Sequence, residues 1–347
     1  MTAIEETPAL TRFQIFLVIL ALACGGFAIG TGEFAIMGLL PDVASTFAVT
    51  TPQAGYVISA YALGVVVGAP LMAIAGAKSS RRTLLLIYMA VFAVGNLASA
   101  LAPDFLSFVV LRFLTGLPHG AYFGVSALVA ASLVPVHMRA RTVGYVMLGL
   151  TGATLIGTPA MALFGQYLSW RVMFLVVGLI SVLTVTLIWV YLPRDKPEAG
   201  ASVMRELVAF THPQVLLTLT LAATGFGGMF AIFSYIASTA TEVAQMPVGM
   251  IPVIMGLFGI GMNVGNVVGS KLADKALMGT IGGMLVFNIV VMTLFGLTAT
   301  SPWMLCLSSF LIGCTFAAGP AIQTRLMDVA SDLSLIHISE PTRLGMI

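Results

Sequence analysis

The chain has 347 residues, 59% of them hydrophobic and 8% charged, with a formal net charge of +2. Ordinary soluble domains carry about 25% charged residues, so this composition excludes a water-soluble fold of this size, and the small net charge argues against nucleic acid as a partner. The lipid bilayer is the expected solvent, and the 36 glycines suit close helix packing within it.

A membrane-crossing helix needs about 20 mainly apolar residues. Ten segments meet that length in chain order: 13–40, 54–77, 83–103, 105–134, 142–167, 170–192, 214–238, 250–272, 277–299 and 302–324. The fold class expected is an all-α membrane helix bundle. The first run is too long for a cleavable leader and lacks a small-residue cleavage site, so it reads as a retained first span. Short polar or proline-marked joints separate the spans, with one exception. The 193–213 stretch, "PRDKPEAGASVMRELVAFTHP", divides six spans from four and reads as a linker, with Ser202 to Phe210 as a candidate surface helix.

Basic residues set the expected orientation. With a cytoplasmic N-terminus, the inner segments hold Arg12, Lys78, Arg81, Arg82, Arg139, Arg141, Arg194, Lys196, Arg205, Lys271, Lys275 and Arg325. The outer loops hold Arg171 alone, which follows the positive-inside rule. Residues 333–347 stand apart. "LSLIHISEPTR" resembles the in-frame translation of a sequencing-library adaptor, so the segment is left out of the fold reasoning. The natural chain is expected to continue past Asp332.

The second span carries Gly64 and Gly68, four apart. The eighth carries Gly265 and Gly269 at the same spacing, and both run into a basic joint. That weak internal repeat suits a transporter built from parallel six-helix halves. The expected division is residues 1–192 as a six-helix half, 193–213 as a cytoplasmic linker and 214–332 as four helices of a second half.

Five stretches in order then carry a resemblance: "GAPLMAIAGAKSSRR" after span 2, "LRFLTGLPHGAYFG" in span 4, "GATLIGTPAMALFG" in span 5, "LSWRVMF" after it, and "GSKLADK" after span 8. Over residues 10 to 330 the chain resembles the major facilitator superfamily, in its drug:proton antiporter and arabinose-type sugar-efflux branch. The resemblance implies twelve helices, two of them missing here, and gating at the cytoplasmic joints through Lys78, Arg81, Arg82, Lys271, Asp274 and Lys275. It also implies a bend at Gly152, Gly157 and Pro159 that favours export. The pattern departs in the first joint, where Ala77 stands for the family's Asp and Ser80 for its Gly. That leaves the first-half latch in doubt.

One charge stands out. Between Phe13 and Leu40 only Glu33 is charged. A charged side chain near the bilayer centre costs roughly 2.5–3.5 kcal/mol on the lenient scale, so something must offset it. Glu33 lies eight residues before Pro41 and Arg112 eight after Asp104. At 1.5 Å per residue each is about 12 Å from the outer end of its span. A Glu33–Arg112 pair, direct or through water, is expected, either as a fixed structural pair or as a proton-coupling device. Burial and a neighbouring guanidinium act oppositely on a carboxyl's hold on its proton, so opening to alternate sides could load and release one. A proton crossing about 100 mV and one pH unit yields roughly 3.7 kcal/mol.

His119 follows Arg112 by seven residues on the same face, as a relay group or a hydrogen-bonded packing residue. Candidate lining, implied by the cavity helices of the resembled family, is Tyr122, Phe123, Phe226, Phe230, Tyr235 and Gln323. No Walker loop, HExxH, Ser/His/Asp set or metal cluster appears, and Cys24, Cys306 and Cys314 have no ligand spacing. No cofactor, metal or enzymatic activity is expected.

The function expected is a monomeric, multi-pass secondary transporter of the cell (inner) membrane that exports small drug-like or apolar molecules against protons. Sugar or metabolite efflux is the alternative, and a membrane-embedded enzyme or sensor the remote one.

Overall fold

The computed structural model describes residues 11–76, 78–135, 138–195, 212–319, 321–322, 324–326 and 329. Every regular element among them is helical. In lipid this follows from the backbone, because a helix satisfies its own N–H and C=O groups where no water is present to do so. Nine helical segments among the described residues are long and apolar enough to cross a bilayer.

The first is α1 (Arg12–Gly38), followed by the short α2 (Leu40–Phe47), which opens on Pro41. Thr50 and Gln53 then form a capping box, Gln53 N–H donating to Thr50 Oγ1 at 3.3 Å and Thr50 N–H to Gln53 Oε1 at 2.9 Å. This starts the crossing segment that contains α3 (Tyr56–Gly76). Ser80 caps α4 (Arg81–Ala100) and Asp104 caps α5 (Phe105–Gly116). Leu117 and Pro118 interrupt the fourth crossing segment before α6 (His119–Ser132), since proline lacks the N–H that would continue the ladder.

The fifth crossing segment has three parts: α7 (Arg139–Gly152), a π-helical turn at Ala153–Gly157, and α8 (Thr158–Tyr167). After α9 (Trp170–Tyr191) the described chain resumes with α10 (Pro213–Ser234), α11 (Ile251–Lys275) and α12 (Leu277–Thr298).

The tenth expected span is helical at all its described residues, with one local change of pitch. Its α-helix, α13 (Pro302–Cys314), passes into a 3-10 turn at Thr315–Ala317. The Thr315 hydroxyl donates to the Ile312 carbonyl at 2.6 Å and so competes for the acceptor that a continuing helix needs. The linker residues 196–211, Ala77, His137, Gln323 and the 333–347 tail lie outside the described residues.

The chain divides into two compact units, Met1–Gly32 with Ala60–Leu150 and Phe174–Ala199, and Glu33–Ser59 with Thr151–Met173 and Gly200–Ile347. In the first, α3 and α5 meet backbone to backbone. A Cβ on Gly64 would strike the Phe113 carbonyl oxygen, one on Gly68 the Leu117 carbonyl, and one on Gly116 the Tyr61 carbonyl. Small residues permit that approach, and dispersion replaces the hydrophobic effect as its driving force in lipid. In the second unit the glycines of α11 act alike, Gly261 and Gly265 lying against the carbonyls of Phe310 and Cys314 of α13. Ser309 Oγ adds a hydrogen bond to the Ile254 carbonyl at 3.0 Å. The glycines of the 259–265 run therefore form a helix-packing stripe.

Candidate functional site

In the first unit the interruption at Pro118 separates two polar positions of the fourth crossing segment. Arg112 lies on α5 and is 1% exposed; His119 opens α6 and is half-buried. Tyr61 of α3 joins them. The guanidinium carbon of Arg112 sits 4.2 Å from the Tyr61 ring centroid, and 5.4 Å from that of Phe174 on α9. The Tyr61 hydroxyl lies 2.8 Å from His119 Nδ1. A cation this deep needs an electron-rich surround, and ring faces supply part of it.

The aromatic chain continues along α6. The His119 and Phe123 rings are 5.4 Å apart between centroids, and Phe123 and Tyr122 5.9 Å. Tyr122 is fully buried, and its hydroxyl donates to the Leu22 carbonyl of α1 at 2.8 Å. Gly25 makes the space for that hydroxyl.

In the second unit, Glu33 is half-buried on α1. Its neighbour Phe34 stacks on Phe230 of α10 at 6.0 Å and lies 6.3 Å from Phe258 of α11. Phe233 and Phe258 stack face to face at 3.5 Å. Phe226 meets Phe316 at 5.5 Å, and the Tyr235 hydroxyl fills the space above Gly55. The Gly152 to Pro159 stretch contains the π-helical turn, which packs on α11 where Gly259 meets the Thr154 carbonyl. An inserted residue leaves a backbone acceptor outside the α pattern. Here the Thr151 carbonyl accepts from Thr154 Oγ1 at 3.0 Å and from Asn263 Nδ2 at 3.5 Å.

At the basic joints, Lys78, Lys271, Asp274 and Lys275 are exposed, and Arg81 and Arg82 half-buried. The Asp195 carboxylate, beyond α9, accepts the backbone N–H groups of Arg81 at 2.8 Å and Arg82 at 3.2 Å. The Arg82 guanidinium lies 5.2 Å from the Trp189 ring centroid and donates to the Trp189 carbonyl. At the other end of α4 and the start of α5, Asp104 accepts from the Ser107 N–H and hydroxyl at 2.9 and 2.7 Å. Those bonds hold its carboxyl below the usual carboxylate range.

Tyr61, Asp195 and Asn263 were not anticipated. Tyr61 had a readable signal, since it precedes Gly64 by one turn less a residue and so flanks the small-residue stripe. Asp195 and Asn263 had none, because their partners lie far away in sequence.

Long apolar helices around a buried guanidinium define a multi-pass membrane protein of the transporter type. The sequence profile of the Major Facilitator Superfamily matches residues 22–334, and the chain belongs to that superfamily. It is 39% identical over 315 residues to the "Inner membrane transport protein YdhP" of Escherichia coli (strain K12), spanning 90% of this chain and 81% of that one. It is 32% identical over 313 residues to a "Chloramphenicol resistance protein" of Streptomyces lividans, spanning 88% and 79%. The solved D-xylose–proton symporter matches with a TM-score of 0.69 over 92% of this chain and 86% of that one. At 16% identity that likeness shows the fold alone.

Proposed function

We propose that this protein exports small drug-like or apolar molecules across the cell (inner) membrane by alternating access, in exchange for protons. The N-terminus faces the cytoplasm, the working unit is a monomer, and the halves are residues 1–192 and 214–332 around a 193–213 linker. The observation that carries the reading is the buried Arg112 with Tyr61 and His119 around it, inside a chain of this superfamily. A fully buried cation among transport helices marks a substrate or ion pathway. The name of the Streptomyces relative supports a drug-like cargo.

In this reading Glu33 carries the proton, and Arg112 is the cation that opposes it. Phe123, Phe226, Phe230 and Tyr235 offer ring surface to the cargo, whereas Tyr122 serves as a strut on α1. Lys78, Arg81, Arg82, Lys271, Asp274 and Lys275 gate the inner side. Gly152, Gly157 and Pro159 give the fifth crossing segment its bend.

The test is efflux of chloramphenicol, ethidium and arabinose from vesicles containing the protein, with an imposed pH gradient. Proton-driven movement of the first two supports the reading, and loss of that movement in Glu33→Gln supports the carrier. Arabinose movement alone would replace drug export with sugar efflux. Transport indifferent to pH and voltage would end the proton exchange.

A further inference from the structure

The joint between Arg112 and His119 passes through a residue the proposed exchange has not used. Tyr61 is 2% exposed. Its ring faces the Arg112 guanidinium at 4.2 Å, and its hydroxyl is 2.8 Å from His119 Nδ1. Its own carbonyl belongs to the backbone contact of α3 with α5, where Gly64, Gly68 and Gly116 leave no space for a methyl group. Interfaces this tight do not slide, because any shift drives backbone atoms together. Tyr61 therefore holds its place relative to α5 when other parts of the molecule move.

We propose that Tyr61 is a positioning residue of the export site, fixing the His119 ring through its hydroxyl and the Arg112 guanidinium through its ring face. This rests on the proton-exchange reading above. A phenol suits the task because its hydroxyl both donates and accepts. Toward neutral His119 it donates to Nδ1, which puts the imidazole proton on Nε2. Toward protonated His119 it accepts from Nδ1–H. His119 can thus gain and lose a proton at Nδ1, the hydroxyl turning from donor to acceptor, while keeping its partner and its orientation. Phenylalanine would keep the ring under Arg112 and lose this function alone. Among the described residues, the charged and titratable groups gathered about His119 are Arg112 from α5 and Tyr61 from α3, with Tyr122 one turn along its own helix.

The experiment is a pH titration of the whole chain, with 15N-labelled histidine, in lipid nanodiscs. Subtracting the spectrum of His119→Gln assigns the signal among the four histidines. The expected wild-type result is an acceptor-type Nδ1 and a protonated Nε2 in the neutral form. In Tyr61→Phe the two neutral tautomers should mix, and the midpoint should fall by about half a pH unit or more, since the hydroxyl's bond to the charged ring is stronger than its bond to the neutral one. Chloramphenicol efflux by the same variant should fall about tenfold at saturating cargo, with its pH profile displaced.

A wild-type Nδ1 that carries the proton in the neutral form overturns the proposal without any variant. So does an unchanged His119 titration in a folded Tyr61→Phe protein, whatever its efflux rate. If wild-type efflux ignores pH, the proton-exchange reading falls, and the His119 spectrum still decides the role of Tyr61.

Discussion

The carboxylate of Asp195 accepts the backbone N–H of Arg81 at 2.8 Å, 114 residues away in sequence. It also takes the Arg82 N–H, so two of the amides that a helix start leaves unpaired are satisfied by a carboxylate from beyond α9. The negative charge lies at the positive end of the α4 dipole. Replacing Asp195 with Ala should lower stability by about 1 kcal/mol, the usual loss of a helix cap. Asp195→Asn should retain most of it, since an amide oxygen still accepts. Thermal unfolding in detergent, with proteolysis at the 78–81 joint, separates the two variants.

Gly64 is the tightest test of the packing between α3 and α5. Gly64→Ala places a methyl group against the Phe113 carbonyl, an atom that cannot swing aside. The expected cost is about 1–3 kcal/mol, the range for an overpacked core. Gly124 has nothing within 4 Å of its Cβ position, so Gly124→Ala serves as the control and should leave the melting temperature unchanged. Equal melting temperatures for the two variants would contradict the close contact.

Arg112→Lys keeps the charge and loses the planar face. The guanidinium carbon is within 4.2 Å of the Tyr61 ring centroid and 5.4 Å of the Phe174 one, whereas an ammonium is a compact, strongly hydrated charge. The loss should be about 2 kcal/mol in a site this dry. Denaturant unfolding reads it, and pH-driven efflux should fall with it. A lysine variant as stable and active as the wild type would show that charge alone is needed.

Asp104 links stability to pH. Its carboxyl is held below the ordinary range by the Ser107 N–H and hydroxyl. A group with a lowered folded pKa stabilises the fold above its unfolded pKa, and that contribution disappears as pH falls through the folded value. The wild type should therefore lose an increment of stability on acidification below about pH 4. Asp104→Ala should lack that increment already at neutral pH and show a shallower acid limb. Unfolding midpoints measured from pH 7 to pH 3 test it.

The amide of Asn263 supports the π-helical turn. It donates to the Gly259 carbonyl at 2.8 Å and reaches the Thr151 carbonyl at 3.5 Å. Asn263→Leu should cost about 0.5–1.5 kcal/mol, with faster hydrogen exchange confined to Ala153–Gly157. Exchange that rises equally along all of α7 and α8 would point to general loosening instead.

How much of this was legible in the residues varies with the range of the interaction. The nine crossing segments were visible because hydropathy is summed over about 20 neighbours along the chain. The 3-10 turn within the tenth was not, because it depends on where one threonine hydroxyl turns. His119 was singled out as a lone histidine on the Arg112 face, yet nothing in its own span announced a tyrosine partner 58 residues earlier.

By itself the sequence determined the solvent, the secondary structure and the superfamily. Each follows from local composition or from motifs that stay contiguous along the chain. Only the tertiary structure decided that Tyr61 bridges Arg112 and His119, that Asp195 caps α4, and that the glycines of α11 meet the carbonyls of α13. Those facts depend on which helix faces which, and on how closely two backbones approach once side chains are absent. That is a property of the packed bundle, and no single helix carries it.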